Sequence, residues 1–178
     1  MLELQAAVII LLLLGITSIV VSTWQTGISP MPSSIQATRQ MLRLIPHGFQ
    51  GRILELGSGW GHVAMAAAKC FPSSSVVGYE LSLLPFFFSR ASLRIQAREN
   101  LTFQRLDFME VSLDTADVVI CYLYPGGMSA LSEKLLQELR PGSIVISNCF
   151  HLPGWQPVET IVLGDLFATR VYLYVSQE

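Results

Sequence analysis

Apolar and polar positions along the 178-residue chain fall into three regimes. The first does not alternate: LQAAVIILLLLGITSIVVSTW, residues 4–24, carries no charge after Glu3. Its 18 residues from Leu4 to Val21 are interrupted only by Gln5, Gly15, Thr17 and Ser18. That is near the lower end of the roughly 17–25 residues a membrane-spanning helix needs. A cleavable signal peptide would carry a positive n-region, which is missing here, and a buried core helix would show a polar face. The second regime, QTGISPMPSS, reads as a polar linker. SSIQ then sets Ser33 three residues ahead of Gln36, a capping-box spacing. Ile35, Thr38, Met41, Leu42 and Ile45 recur at helical intervals, predicting a helix from Ile35 to Leu44. This helix packs on the domain C-terminal to it or forms part of a lid over a ligand, and both readings stand.

The third regime switches between short β-rich runs and helical stretches. Strands are expected at 52–56, 75–81, 101–106, 116–124 and 143–150, with helices at 62–71, 82–100 and 127–139. Pro85 is tolerated in the first turn of the second of these helices. VETIVLG and ATRVYLYV add two strands with no helix between them. Strands rich in Val and Ile alternating with helices imply a sheet covered on both faces. The expected fold is α/β: a Rossmann-like, doubly wound, mostly parallel sheet with an antiparallel C-terminal hairpin, preceded by one transmembrane helix. The chain accordingly divides into an anchor over 1–24, a linker and helix over 25–46, and a domain over 47–178.

Composition changes this picture little. The 51% hydrophobic content concentrates in the first segment. Arg39 and Arg43 are the nearest basic residues to it, so the positive-inside bias puts the domain on the cytoplasmic side of a single-pass membrane protein. A net charge of −2 argues against nucleic acid as the partner. Cys70, Cys121 and Cys149 are far apart, spell neither a metal site nor a disulfide framework, and read as buried thiols. No metal is expected.

The chemistry lies in ILELGSGWGH, residues 53–62. In an open parallel sheet, ligands bind beyond the carboxyl ends of the strands, and glycines let the backbone approach them. A dinucleotide fingerprint, G-x-G-x-x-G, fails here because Gly57, Gly59 and Gly61 put the third glycine one place early. His62 stands in its place, with a side chain that would crowd helix against strand. No Gly-Lys-Ser/Thr comes after the loop, so a Walker loop fails too. A bare structural turn needs fewer glycines. A nucleoside without phosphates remains.

ILELGSGWG resembles motif I of the class I S-adenosylmethionine-dependent methyltransferases, and VVGYEL resembles their second-strand acid. RLDF resembles the loop after their third strand, and LRPGSIVI the turn before their fifth. The resemblance implies S-adenosylmethionine as cofactor, bound by Glu55, Gly57, Ser58, Gly59 and Gly61. It places Glu80, followed by Leu81, on the ribose hydroxyls, and Asp107, followed by Phe108, at the adenine amino group. PMPSSIQATRQML and FHLPGWQPVET, with the apolar N-terminus, narrow the likeness further. The chain resembles the membrane-anchored protein-lysine methyltransferases that act on the adenine nucleotide translocase and the ATP synthase c-subunit, together with their prokaryotic relatives. Where that family has an acid and a basic or polar residue in its glycine loop, this sequence has Trp60 and His62.

The resemblance implies an N-methyltransferase acting on a lysine of a membrane protein, held at the bilayer by residues 4–24. The prokaryotic plasma membrane is favoured over the mitochondrial inner membrane, because no Arg- and Ser-rich presequence is present. Positioning and desolvation can supply much of the catalysis, so no dedicated base is required. CYLYPGG and NCFHLPGW should form the substrate edge. Tyr122 and Tyr124 flank one side, only one of them facing the ligand by strand alternation; Asn148, His151 and Trp155 flank the other. Packing at a sheet end explains the tyrosines and Trp155 equally well, His151 can be a plain loop hydrogen-bonder, and His47 reads as structural. Trp60 shields the site or is simply exposed. Phe86, Phe87 and Phe88 pack between helix and sheet, or one of them touches bilayer or substrate. With little sequence beyond the cofactor fold, an open site suits a protein side chain. A lipid or small-molecule acceptor, a non-catalytic tethered module and, last, a nicotinamide dehydrogenase remain alternatives.

Overall fold

A computed structural model describes residues 1, 4–6, 9–10, 17 and 32–177 of the chain. Its elements run α1 (Ile35–Arg43), β1 (Arg52–Leu56), α2 (His62–Cys70), β2 (Ser75–Tyr79), α3 (Leu83–Gln96) and β3 (Leu101–Gln104). A single 3-10 turn, Phe108–Glu110, precedes β4 (Val118–Cys121), α4 (Pro125–Glu138), β5 (Ile144–Asn148), β6 (Glu159–Val162) and β7 (Arg170–Val175). The strands form one 7-stranded sheet in the order β3-β2-β1-β4-β5-β7-β6. β1 pairs in parallel with both β2 and β4, so the direction of winding reverses between β1 and β4. β7 runs antiparallel to β5, and β6 antiparallel to β7, giving the expected C-terminal hairpin.

Both faces of the central strands are dry, which explains why those runs are apolar without alternation. Ile53, Val76 and Val118 meet Met41 and Ile45 at the end of α1 and Ala64, Ala67 and Ala68 of α2. On the opposite face, Leu54, Val77 and Val119 meet Met128, Leu131 and Leu135 of α4. Only the edge strand β6 is largely exposed, matching its mixed sequence. The helix before the sheet is thus packed into the same core as β1.

Several boundaries differ from expectation. β4 ends at Cys121 and β2 at Tyr79, so Glu80, Tyr122 and Tyr124 stand on the turns beyond the strands. α3 stops at Gln96 because Ala97 takes a left-handed conformation (φ 41°). Ser34, not Ser33, caps α1, its hydroxyl accepting the Ala37 N–H at 3.1 Å. Of the three phenylalanines only Phe86 is buried; Phe87 and Phe88 are 61% and 50% exposed, since consecutive helical positions cannot share one face. The cysteines also separate: Cys121 is buried, Cys70 exposed and Cys149 between the two.

The expected membrane localisation requires correction. Among the described residues no helix is long and apolar enough to cross a membrane. The rest of the expected anchor, residues 4–24, lies outside the described residues. The bilayer contact rested on the apolarity of that run, and the cytoplasmic side on the positions of Arg39 and Arg43. Crossing the hydrocarbon core takes a continuous helix of about 20 residues, which hydropathy does not establish.

Candidate active site

Beyond the carboxyl ends of β1, β2 and β4 lies a cleft of about 260 Å³. Its floor is the turn from β1 to α2. Gly57, Gly59 and Gly61 have φ values of 71°, 52° and 80°, in the left-handed region that residues with a Cβ rarely adopt. The Ser58 N–H donates to the Tyr79 carbonyl at 2.8 Å, tying the turn to β2. The glycines then divide their work. A Cβ on Gly59 would meet nothing within 4 Å, so its bare face looks onto open space at the cleft. A Cβ on Gly61 would lie 2.6 Å from Phe103 and 2.8 Å from Ser89. Gly61 is not on the cleft wall; it permits close packing of helix against sheet. Its early position thereby removes the crowding expected at His62, which is exposed.

Two glutamates brace this turn from within. Glu80, 7% exposed, accepts the Gly59 N–H through Oε2 and the Ser82 N–H through Oε1, both at 2.7 Å. Each oxygen keeps a second lone pair for another donor. Glu55, also 7% exposed, accepts the Ala64 N–H at 2.8 Å. Burial pushes its carboxyl up to about 8; the Ala64 N–H pulls part of this back, and neighbouring Glu80 adds to the rise. Asp107 Oδ1 accepts the Met109 N–H at 2.9 Å and so caps the 3-10 turn that carries Phe108.

The far wall is aromatic. Tyr122 stacks on Phe150 with ring centroids 6.3 Å apart, and burial raises the pKa of its phenol, which stays protonated near neutrality. Tyr124 sits at the N-cap of α4, where Gly126 and Gly127 leave room for its ring; Cβ atoms there would come within 2.6 and 3.1 Å of it. Both tyrosines line the cleft. The expectation that only one would do so fails because β4 has ended, and alternation holds only within a strand.

Of the expected site residues, Glu55, Gly57, Ser58, Gly59, Glu80 and Leu81 line the cleft. Asp107, Phe108 and the two tyrosines join them. His151 and Trp155 do not. His151 is exposed, and Trp155 packs edge-on against Tyr174 at 6.1 Å. Tyr174 holds that loop by accepting the Leu152 N–H at 2.9 Å. Asn148 is buried behind the wall and donates to Ser33 Oγ at 3.1 Å. Through that contact Pro32 and Ser33 reach the cleft, residues that sequence reasoning assigned to linker and cap. Met109 was also missed. The lid reading of the helix at 35–44 was the signal that could have found Pro32 and Ser33.

What the wall offers decides what it can hold. Glu80 and Asp107 line it beside Glu55, whose carboxyl is kept protonated near neutrality by burial, with no Lys or Arg; this repels a phosphate and suits a cationic, hydroxyl-bearing ligand. Ser58 Oγ is buried on the wall with no hydrogen-bond partner, and Gly59 leaves room for a close approach. S-adenosylmethionine, a phosphate-free nucleoside with sulfonium and ammonium charges, fits this donor set.

Comparison with known proteins agrees. The sequence profile of the ANTKMT methyltransferase domain matches residues 55–159. The chain is 33% identical over 145 residues to the adenine nucleotide translocase lysine N-methyltransferase of Mus musculus, covering 80% of this chain and 60% of that protein. It is 31% identical over 152 residues to a protein-lysine N-methyltransferase of Saccharolobus islandicus, covering 83% of this chain and 93% of that protein. An RNA methyltransferase from Salinibacter ruber, solved with S-adenosyl-L-homocysteine, superimposes with a TM-score of 0.76 at 27% identity, over 83% of this chain and 95% of that one. With the acidic cleft, the left-handed glycine turn and these similarities together, the chain belongs to the ANTKMT methyltransferase domain family, within the S-adenosylmethionine-dependent methyltransferases.

Proposed function

We propose that the protein transfers a methyl group to the side-chain amine of a lysine in a protein substrate. The observation that carries this reading is the cleft itself: carboxyl groups beside the aromatic wall of Tyr122 and Tyr124, with no inserted domain among the described residues to enclose a small acceptor. The two lysine N-methyltransferases to which the chain is similar support the choice of acceptor. The Salinibacter ruber protein is described as acting on RNA, but a net charge of −2 suits a phosphate backbone poorly.

When bound, S-adenosylmethionine supplies a methyl group already activated by a sulfonium charge. Around it, Glu80 would accept the ribose hydroxyls on its free lone pairs, with Leu81 beside the sugar. Asp107 and Phe108 would hold the base, and Glu55, Gly57, Ser58 and Gly59 the amino-acid end. Gly61 acts through packing alone. Tyr122 and Tyr124 form the mouth, guiding the aliphatic stem of lysine and excluding water. The acceptor amine must be neutral to react; the apolar mouth lowers its pKa, and the released proton passes to solvent. No buried base is needed. The catalytic unit comprises 47–178 together with α1, whose Met41 lies in its core with Ile45 just past the helix.

Calorimetric titration with S-adenosylmethionine, beside a Glu80→Ala variant, tests the cofactor assignment. The variant should bind about a hundredfold more weakly, as expected for two charged hydrogen bonds lost. Labelled-methyl transfer then tests the acceptor. Label entering lysine-containing peptides but not lipid extracts supports the proposal, whereas label entering lipid alone overturns it.

A further inference from the structure

A second groove, of about 380 Å³, lies between α2 and α3 and shares Trp60 and His62 with the cofactor cleft. Its chemistry is the reverse of its neighbour's. Lys69, from the last turn of α2, and Arg98, just past α3, line it with Gln96 and Ser92, and no carboxylate does. Trp60 and Phe88, edge to face at 5.2 Å, form an aromatic wall at the end nearer the cleft.

Three features distinguish this groove from ordinary solvated charge. Arg98 Nε is buried and has no hydrogen-bond partner, an expensive state for a guanidinium donor. Neither ion pair among the described residues involves Lys69 or Arg98. Ala97, immediately before Arg98, holds a left-handed backbone (φ 41°) that a non-glycine residue adopts at a cost. That turn ends α3 and places Arg98 on the lining of the groove. Strain of this kind persists where the surroundings enforce it and often marks a functional position.

We propose that this groove is a second substrate subsite, which receives an acidic side chain of the protein being methylated. The proposal rests on the reading of the acceptor as a protein lysine. A carboxylate between Lys69 and Arg98 would accept charge-assisted bonds from the Lys69 ammonium and the Arg98 guanidinium. An apolar neighbour of that carboxylate would lie against Phe88 and Trp60, and the chain of the substrate would continue over Trp60 toward the tyrosine mouth. The subsite thereby selects lysines that have an acid nearby in the folded substrate or along its chain.

Binding is measured by fluorescence anisotropy on the full chain without cofactor. The probes are two labelled peptides, each with one lysine, one flanked by glutamates and the other by glutamines. The acidic peptide should bind about tenfold more tightly, the equivalent of one charge-assisted contact. That preference should shrink as salt rises and vanish in Arg98→Gln, with Lys69→Gln as a milder second variant. Undiminished S-adenosylmethionine affinity in both variants verifies that they are folded. Equal binding of the two peptides to the wild type overturns the proposal, as does a preference that survives both substitutions. Displacement of the acidic peptide by millimolar inorganic phosphate is expected at a shared anion site. Protection of the groove by phosphate with no effect of the glutamates marks a small-anion site instead and also overturns it. Because no methyl transfer is read, failure here is distinguishable from failure of the lysine assignment.

Discussion

At the scale of single residues, the three loop glycines have different duties, and substitution should separate them. Gly61→Ala puts a methyl 2.6 Å from Phe103 in a left-handed conformation, so it should cost roughly 2–4 kcal/mol of stability, measured by chemical denaturation. Gly59→Ala meets no protein atom and should cost only about 1–2 kcal/mol for its backbone conformation. Its methyl instead enters the cleft and should weaken S-adenosylmethionine binding, read by calorimetry. Sequence spacing alone treated the glycines as one motif. Their division depends on Phe103 and Ser89, which arrive from β3 and α3. Gly78 in β2 is a similar case: a Cβ there would strike Phe103 at 2.7 Å, and nothing in the sequence around it says so.

At the scale of elements, α1 joins stability to the site. Met41, wholly buried, fixes it to the core, while the residues just ahead of it, Pro32 and Ser33, reach the cleft. Met41→Ala should destabilise the protein by about 2–5 kcal/mol and also loosen cofactor binding. Ser34→Ala, which removes only the helix cap, should cost about 1 kcal/mol with little effect on binding. Thermal unfolding with and without cofactor reads both. The periodicity of Ile35, Met41, Leu42 and Ile45 was sufficient to find this helix. Ile35 is nevertheless 75% exposed, because an apolar stripe does not say how far along the helix the protein continues to cover it.

At the scale of the whole molecule, the burial of Glu55, with Glu80 beside it, makes stability depend on pH. Its folded pKa of about 8 lies above the ordinary 4.5, so between those values the folded chain holds a proton that the unfolded chain releases. The stabilisation present below 4.5 is therefore lost as pH rises through about 8. The slope is at most about 1.4 kcal/mol per pH unit. Denaturation of the cofactor-free protein should show stability falling across this range, and Glu55→Gln should flatten the fall while retaining an acceptor for the Ala64 N–H. An unchanged slope in the variant would assign the pH dependence to other groups.

The sequence by itself determined the alternation of strands and helices, the mostly parallel sheet with its antiparallel close, and the family to which the glycine turn belongs. These are local or nearly local: β-rich runs, helical periods and a motif spanning one turn. The tertiary structure decided which side chains share a cavity. Tyr122 and Tyr124 both face the cleft because β4 stops at Cys121, whereas Trp155 turns toward Tyr174, on the adjacent strand β7. Ser33 joins the site through Asn148, 115 residues away, and the basic groove gathers Lys69 and Arg98 from the ends of two different helices. Such meetings are set by the packing of distant segments, and one-dimensional spacing carries no record of them. The apolar run at 4–24 shows the same limit from the other direction, since hydropathy describes composition and does not fix where a segment resides.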